Sequence, residues 1–128
     1  MTINENTYEL TTFHYDYGVP IIFEAGTEQG FSIGDKIIFV FDNQYINDKI
    51  FEVNNDNYTF ELALEKEEAD NLYMNKLTSS TIIKYSAKRY RENQFLETLV
   101  NSTLKIEGTV RWEGDDNGKI NSEEPSEG

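Results

Sequence analysis

The chain offers few side chains that could form a catalytic centre. Its single histidine, His14, would have to act as a zinc ligand or as the base of a Ser-His-Asp triad, and the sequence identifies no partner for either role. The 24 acidic residues allow many glycosidase-like pairs to be drawn, none with a readable separation. Phosphate-binding glycine loops and the serine elbow of hydrolases are absent from the sequence. We therefore predict that the protein is not an enzyme, and we predict no catalytic residue and no cofactor.

One acidic segment has the ligand types that calcium prefers. In EGDDNGKINSEE, residues 113–124, oxygen-bearing side chains fall at positions one, three, five and twelve of a calcium loop, around the turning glycine Gly118. The first position is Glu113, where aspartate is expected, and Pro125 follows the last position, where a helix would begin. A solvated linker is the favoured interpretation, and we predict no metal site, although calcium binding by this segment stays open.

Basic side chains gather in one aromatic segment of this acidic chain. Lys88, Arg89, Tyr90 and Arg91 are consecutive, and together with Lys84 they supply four of the eleven basic residues. Such a cluster could meet an acidic surface on a partner protein. It could equally be a solvent-facing strand edge whose lysines discourage unwanted pairing. We predict that residues 88–91 contact a partner, and the second interpretation stays open beside it.

Aromatic residues give an alternative function. An exposed platform of tyrosines could recognise a carbohydrate or a host surface, and Tyr15, Tyr17 and Tyr45 lie in predicted loops. In a small β-rich domain most aromatic side chains belong to the core, because each buries a large apolar area. A carbohydrate-binding module is therefore the alternative prediction to a protein-binding one.

Charge excludes several classes of partner. The net charge of −13 argues against nucleic acid and anionic membranes, which need basic surface to displace counterions. An acidic mimic of nucleic acid would need its carboxylates on one face, whereas here they are spread over many predicted turns and strand exteriors. The chain has no cysteine, which removes disulfides and thiol chemistry.

The elements that would position these residues are mainly strands. Period-two alternation of apolar and polar residues recurs from Tyr8 to Trp112, interrupted by turn residues every 8–12 positions or so. Only residues 65–74 have helical spacing, with acidic residues in the first turn. This spacing predicts an all-β antiparallel sandwich or barrel of about seven or eight strands with one short helix. The expected strands are 8–12, 19–23, 36–41, 49–53, 58–64, 80–90, 96–100 and 102–112.

The organisation predicted from composition has three parts. Residues 1–6 are polar and are expected to be flexible. Residues 7–112 form the β-sandwich domain, and residues 113–128, with six acids and one lysine, form an acidic flexible tail or linker.

Five pieces of the sequence follow one another in a distinctive order of strand and turn signals. They are YDYGVPIIF (15–23), GDKIIFVF (34–41), NYTFELALEKEEADNL (57–72), IIKYSAKRY (82–90) and ETLVNSTLKIEGTV (97–110). This order resembles that of a domain of tailed phages of Gram-positive bacteria, the N-terminal domain of the baseplate upper protein. The chain departs from the family at Asn101, which stands between the last two predicted strands where the family usually has glycine.

The resemblance implies an immunoglobulin-like antiparallel β-sandwich that attaches to other copies of itself or to other proteins of a virion tail. It carries over no catalytic or cofactor-binding residue. The expected function is therefore that of a structural module of a phage or prophage tail, made in the bacterial cytoplasm and located in the virion.

Overall fold

The computed structural model describes residues 1–13, 17–54, 59–74 and 81–107, and they form a mainly β fold with one short α-helix. The prediction of a β-rich domain with a single short helix is confirmed. The strands are β1 (Thr2–Ile3), β2 (Leu10–Phe13), β3 (Ile21–Glu24), β4 (Lys36–Phe41), β5 (Lys49–Glu52), β6 (Thr59–Leu62), β7 (Thr81–Arg91) and β8 (Gln94–Glu107), and the helix is α1 (Lys66–Met74).

The strands form two sheets. Six lie in the order β1-β2-β8-β7-β4-β5, and β3 pairs with β6 in a second sheet. All pairs are antiparallel except β2 with β8, which run parallel with Leu10 opposite Leu104. The large sheet is therefore mixed, where the sequence predicted antiparallel strands throughout. Because β2 and β8 come from opposite ends of the domain, no short hairpin forces them to run in opposite directions.

A cluster of phenylalanine rings joins the two sheets. Phe23 and Phe60 point from the second sheet towards Phe39 and Phe51 of the first. The ring centroid of Phe23 lies 5.4 Å from that of Phe39 and 5.2 Å from that of Phe51, and Phe51 lies 5.4 Å from Phe60. Tilted and edge-on arrangements at these distances are favourable beyond the area that they bury. Of these four, the alternation in the sequence predicted an inward side chain for Phe60.

The helix is fixed to the large sheet through Glu68, whose side chain is only 3% exposed. Its Oε1 atom accepts a hydrogen bond from the backbone N–H of Glu65 at 2.8 Å, which satisfies a donor at the helix N-terminus. Oε2 accepts from the N–H of Asn47 at 2.8 Å, and Lys49 Nζ at the start of β5 lies 2.6 Å from Oε1. The carboxylate thus holds together the helix, the loop before β5 and β5 itself.

Thr2–Ile3 pairs with β2, with Thr2 opposite Thr11, and the flexibility expected of residues 1–6 stays a prediction. One segment differs from the sequence predictions. The two last strands, expected to break at Asn101, form one strand of 14 residues. Asn101 continues the ladder because it lies opposite Ser86, whose hydroxyl donates to its side-chain oxygen at 3.2 Å. The predicted tail, 113–128, and residues 108–112 lie outside the described residues.

Candidate protein-interaction surface

Arg89 and Arg91, two of the four residues predicted to contact a partner, both bind the carboxylate of Asp35. Asp35 lies just before β4 and its side chain has no exposed surface. Its Oδ2 atom accepts hydrogen bonds from Arg89 Nε at 3.0 Å and from the N–H of Ser32 at 2.9 Å. Arg91 Nε donates to Oδ1 at 2.9 Å. These donors, with the hydrogen bond from Arg91 contributing most, hold the pKa of Asp35 well below its ordinary value although burial opposes the shift.

Arg89 makes further contacts that extend this ion pair. Its Nη1 atom donates to Glu97 Oε2 at 3.0 Å, and its Nη2 atom donates to the carbonyl of Gly30 at 2.9 Å. Its guanidinium carbon lies 4.6 Å from the centroid of the Phe31 ring, within cation–π range. The side chain of Arg89 is 13% exposed and that of Arg91 is 43% exposed. The arginines therefore fasten the outer part of the β7–β8 hairpin to the loop before β4.

Lys88 and Tyr90 alternate with the two arginines along β7 and so lie on its opposite face. Both are partly exposed. The Tyr90 ring contacts that of Phe95 on β8 edge-on, with 5.9 Å between centroids. The structure thus divides the predicted cluster between two faces of one strand. Contact of residues 88–91 with a partner stays a prediction.

The outer edge of β8 is open over most of its length. β8 pairs with β7 from Gln94 to Ile106, apart from two bulge residues, but β2 covers only Leu104–Glu107 on the other side. Across the described residues no strand pairs with the outer edge of 94–103. An uncovered strand edge presents backbone donors and acceptors to any extended segment that approaches it.

This open edge is apolar and nearly free of the features that usually protect an edge. Phe95, Leu96 and Leu99 are 54%, 43% and 36% exposed. Residues 94–103 include no lysine and no proline, and Glu97, their only charged residue, is paired with Arg89. Natural proteins commonly protect exposed edges with lysine, proline or bulges. Here bulges are the protection that remains.

Two bulges lie in this part of β8. Ala87 is opposite Val100 and Lys88 is opposite Thr98, so Leu99 is an extra residue on β8. Arg89 is opposite Glu97 and Tyr90 is opposite Phe95, so Leu96 is a second extra residue. A bulge bends its strand and increases the local twist. The sequence signal was the stretch QFLETLV, which breaks strict alternation, but only the ladder shows which leucines are extra.

An apolar groove of about 280 Å³ adjoins the open edge. Leu99 and Val100 line it from β8, and Phe23 lines it from β3, while Glu24 is the only charged residue among the described residues that line it. Tyr85 also lines the groove and donates its hydroxyl hydrogen to the carbonyl of Tyr8. Burial, aided by the nearby Tyr8, raises the pKa of Tyr85 to about 12, so this hydroxyl keeps its proton in mildly alkaline as well as neutral solution.

A second depression, of about 720 Å³, lies on another side of the domain. Tyr17, which is 46% exposed, lines it together with Pro20 and the carboxylates of Asp48 and Glu61. Of the other residues considered for carbohydrate binding, Tyr45 is partly buried and packs against the core. His14 and Tyr15 lie outside the described residues.

In the described ranges, no three side chains of the His, Cys, Asp and Glu types come together as metal ligands. In those ranges there is also no helix that has both the length and the apolar character to cross a membrane. The acidic segment 113–124, considered for calcium, lies outside the described residues.

We expect Asp35→Asn to lower the free energy of unfolding by about 2–3 kcal/mol, because two arginines then lose their anionic partner. The loss is smaller than at a wholly buried pair, since Arg91 reaches water. Urea unfolding at neutral pH measures it. Asp42→Asn, at an exposed aspartate, is the matched control and should change stability by less than about 0.5 kcal/mol. Equal effects of the two substitutions would contradict the role given to Asp35.

The stability difference between the wild type and Asp35→Asn should depend on pH. The pKa of Asp35 is lower in the folded chain than in the unfolded chain, where an aspartate titrates at about 3.9. Its contribution is therefore complete above about pH 5 and is lost as the pH falls through the folded pKa. Unfolding curves at about pH 7, pH 4 and pH 2 should show the two proteins converging. A constant difference would contradict this prediction.

Comparison with protein-family models and curated sequences provides no functional assignment for the chain. Neither a protein-family model nor a curated protein sequence matches the chain. The resemblance to the baseplate upper protein therefore rests on the pattern of strands and turns alone. The open edge of β8 and the apolar groove beside it are the features from which a function can be argued.

Proposed function

We propose that this chain is a non-catalytic structural module of a phage or prophage tail, of the baseplate type, that acts through protein–protein contacts. The open apolar edge of β8 is the observation that carries the proposal. Three exposed apolar side chains beside an unpaired strand edge promote association, which would be a disadvantage to a monomer with no binding role. A tail module of this kind is expected to attach to other proteins, and a strand edge supplies both backbone hydrogen bonds and apolar contacts.

The strand order supports an immunoglobulin-like sandwich as the architecture of this module. In variable-type immunoglobulin domains, strands C, F and G share a sheet with C′, and B and E lie in the other sheet. Here β8, β7 and β4 are consecutive neighbours with β5 beside β4, and β3 pairs with β6. The chain has no cysteine, so the likeness is one of architecture without the conserved disulfide.

The experiment that tests this function is a pull-down with the purified tagged chain from lysate of its source bacterium after prophage induction. We expect identified tail or baseplate proteins to be retained. Leu96→Lys places a charge on the open edge and should reduce their recovery at least about tenfold, as for a loss of about 1.4 kcal/mol.

Ile82→Lys is the matched control for this substitution. Ile82 is 66% exposed on β7, a strand that is paired on both sides, so the same change in charge leaves the edge intact. Recovery with this control should equal that of the wild type. Failure to recover any tail protein with the wild-type chain would overturn the proposed function.

A second candidate function, carbohydrate recognition, is favoured by the depression at Tyr17. An exposed aromatic ring beside carboxylates offers a sugar both a stacking surface and hydrogen-bond acceptors. Under this function the chain should retain cell-wall polysaccharide in affinity electrophoresis, and Tyr17→Ala should weaken retention at least about fivefold. Phe13→Ala, at an aromatic residue that is 49% exposed elsewhere, is the control. Absence of retention by the wild type would remove this candidate.

A further inference from the structure

The outer face of the large sheet carries a positive charge in an otherwise acidic chain. Opposite residues of a ladder share a face and successive residues alternate, so the strand registers show which side chains point away from the core. Among the described strand residues of that face, four are lysines and two are glutamates, although the sequence has 24 acidic and 11 basic residues. The six are Lys36, Lys84, Lys88, Lys105, Glu52 and Glu107.

The centre of this face is a block of four residues on β4 and β7, which we call the basic block. Lys36 is opposite Tyr90 in the ladder. Two residues along each strand, Ile38 is opposite Lys88, so the lysines lie on one diagonal of the block and the uncharged side chains on the other. Glu52 is opposite Lys36 on β5. Both lysines are partly exposed, and within the described ranges neither takes part in an ion pair.

The second sheet presents the opposite charge in the same arrangement, in four residues that we call the acidic block. Ile22 on β3 is opposite Glu61 on β6. Two residues along each strand, Glu24 is opposite Thr59, so the glutamates lie on one diagonal of the block. All four residues are exposed. No ion pair among the described residues includes either glutamate.

The two blocks face in opposite directions and match in spacing. The phenylalanine cluster lies between the sheets, so the outer face of each sheet points away from the other. In both blocks the charged residues are diagonal neighbours across an antiparallel pair, about 7–8 Å apart. If the charged diagonals of two facing blocks are aligned, each lysine meets a glutamate. The uncharged diagonals, which carry Ile38 and Ile22, are then aligned as well.

We propose that the basic block of one copy of this chain docks onto the acidic block of a second copy. A second copy is the partner because the chain itself carries both complementary surfaces. The contact joins two different surfaces on opposite sides of the domain, so it is heterologous and the copies stack in an open column. This inference goes beyond the proposed function, since it uses neither the β8 edge nor a second kind of protein. Of the residues predicted to contact a partner, Lys88 and Tyr90 belong to this contact.

The net charge of −13 does not prevent this contact at physiological ionic strength. At about 0.15 M the Debye length is about 8 Å, so charges outside the two blocks are largely screened. Facing lysines and glutamates fix which surfaces meet, and exposed apolar side chains add attraction when they leave water. Ile22 in the acidic block and Val40 beside the basic block are 63% and 38% exposed. Since exposed ion pairs contribute little individually, we expect a weak association.

Sedimentation velocity of the purified chain at about 0.15 M salt tests the stacking. Between about 10 µM and about 1 mM the weight-average sedimentation coefficient should rise, and it should pass the value of a dimer because an open column continues to grow. Lys88→Glu should raise the dissociation constant at least about fivefold, since it places a carboxylate against the acidic block. Circular dichroism of this variant should match that of the wild type.

Glu24→Lys separates the proposed contact from an effect of net charge. This substitution makes the chain less negative, so net charge alone would strengthen the association. The proposed contact requires the reverse, a dissociation constant raised at least about fivefold, because lysines then face each other. Glu5→Lys, at an exposed residue between β1 and β2, makes the same change in net charge and is the matched control. It should not weaken the association.

A mixture of the two variants tests which surfaces meet. The Lys88→Glu chain keeps its acidic block, and the Glu24→Lys chain keeps its basic block. An equimolar mixture should therefore associate at least about fivefold more strongly than either variant alone at the same total concentration. A contact between two identical blocks would give no such recovery.

Three results would overturn the inference: a wild-type chain that stays monomeric at about 1 mM, a Glu24→Lys chain that associates as strongly as the Glu5→Lys control, or a mixture that recovers no association. Recovery of tail proteins in the pull-down enters none of these results. The stacking and the proposed function can therefore fail separately.

Discussion

The ion pair between Asp35 and the arginines of β7 joins the loop before β4 to the part of the sheet that carries the open edge. β7 and β8 extend together beyond the part of β8 that β2 covers. There β4 pairs with β7 from Tyr85 to Tyr90, so β8 is the edge of a larger sheet. Asp35 binds Arg89 and Arg91 from the loop before β4, and Arg89 in turn binds Glu97 on β8. The carboxylate therefore adds a side-chain link to the ladder at this end of the sheet and leaves the outer edge of β8 uncovered.

Two kinds of surface arise from this arrangement, and they differ in what they can bind. The β8 edge offers a row of backbone groups and apolar side chains, which suits an extended strand. The depression at Tyr17 is lined by the rings of Tyr17 and Phe51 and by several carboxylates and lysines, which suits a small polar ligand. Of the basic residues predicted from the sequence as a binding patch, Arg89 and Arg91 bind Asp35 within the chain. Arg89 in particular makes contacts within the chain, with Phe31 and Gly30 on one side and Glu97 on the other.

Local patterns in the sequence were enough to predict elements but not their contacts. β4 and α1 could be placed to within a residue, because an apolar run and a helical spacing are properties of neighbouring residues. The continuity of β8 through Asn101 could not, since it depends on Ser86 across the ladder. The pairing of Asp35 with Arg89 joins residues 54 positions apart, and the local sequence of neither segment predicts it. The open edge also could not be predicted from the sequence, because it results from the difference in length between β2 and β8.

The parallel pairing of β2 with β8 has a consequence for the order of folding. The β7–β8 hairpin is closed by two residues, Glu92 and Asn93, both with positive φ, and such a local contact can form early. Leu10 meets Leu104 only when nearly the whole domain has been brought together, and contacts between distant residues slow folding. The outer edge of β8 is thus exposed along its full length until β2 docks. On the ribosome, β2 leaves the exit tunnel long before β8 and must wait for it.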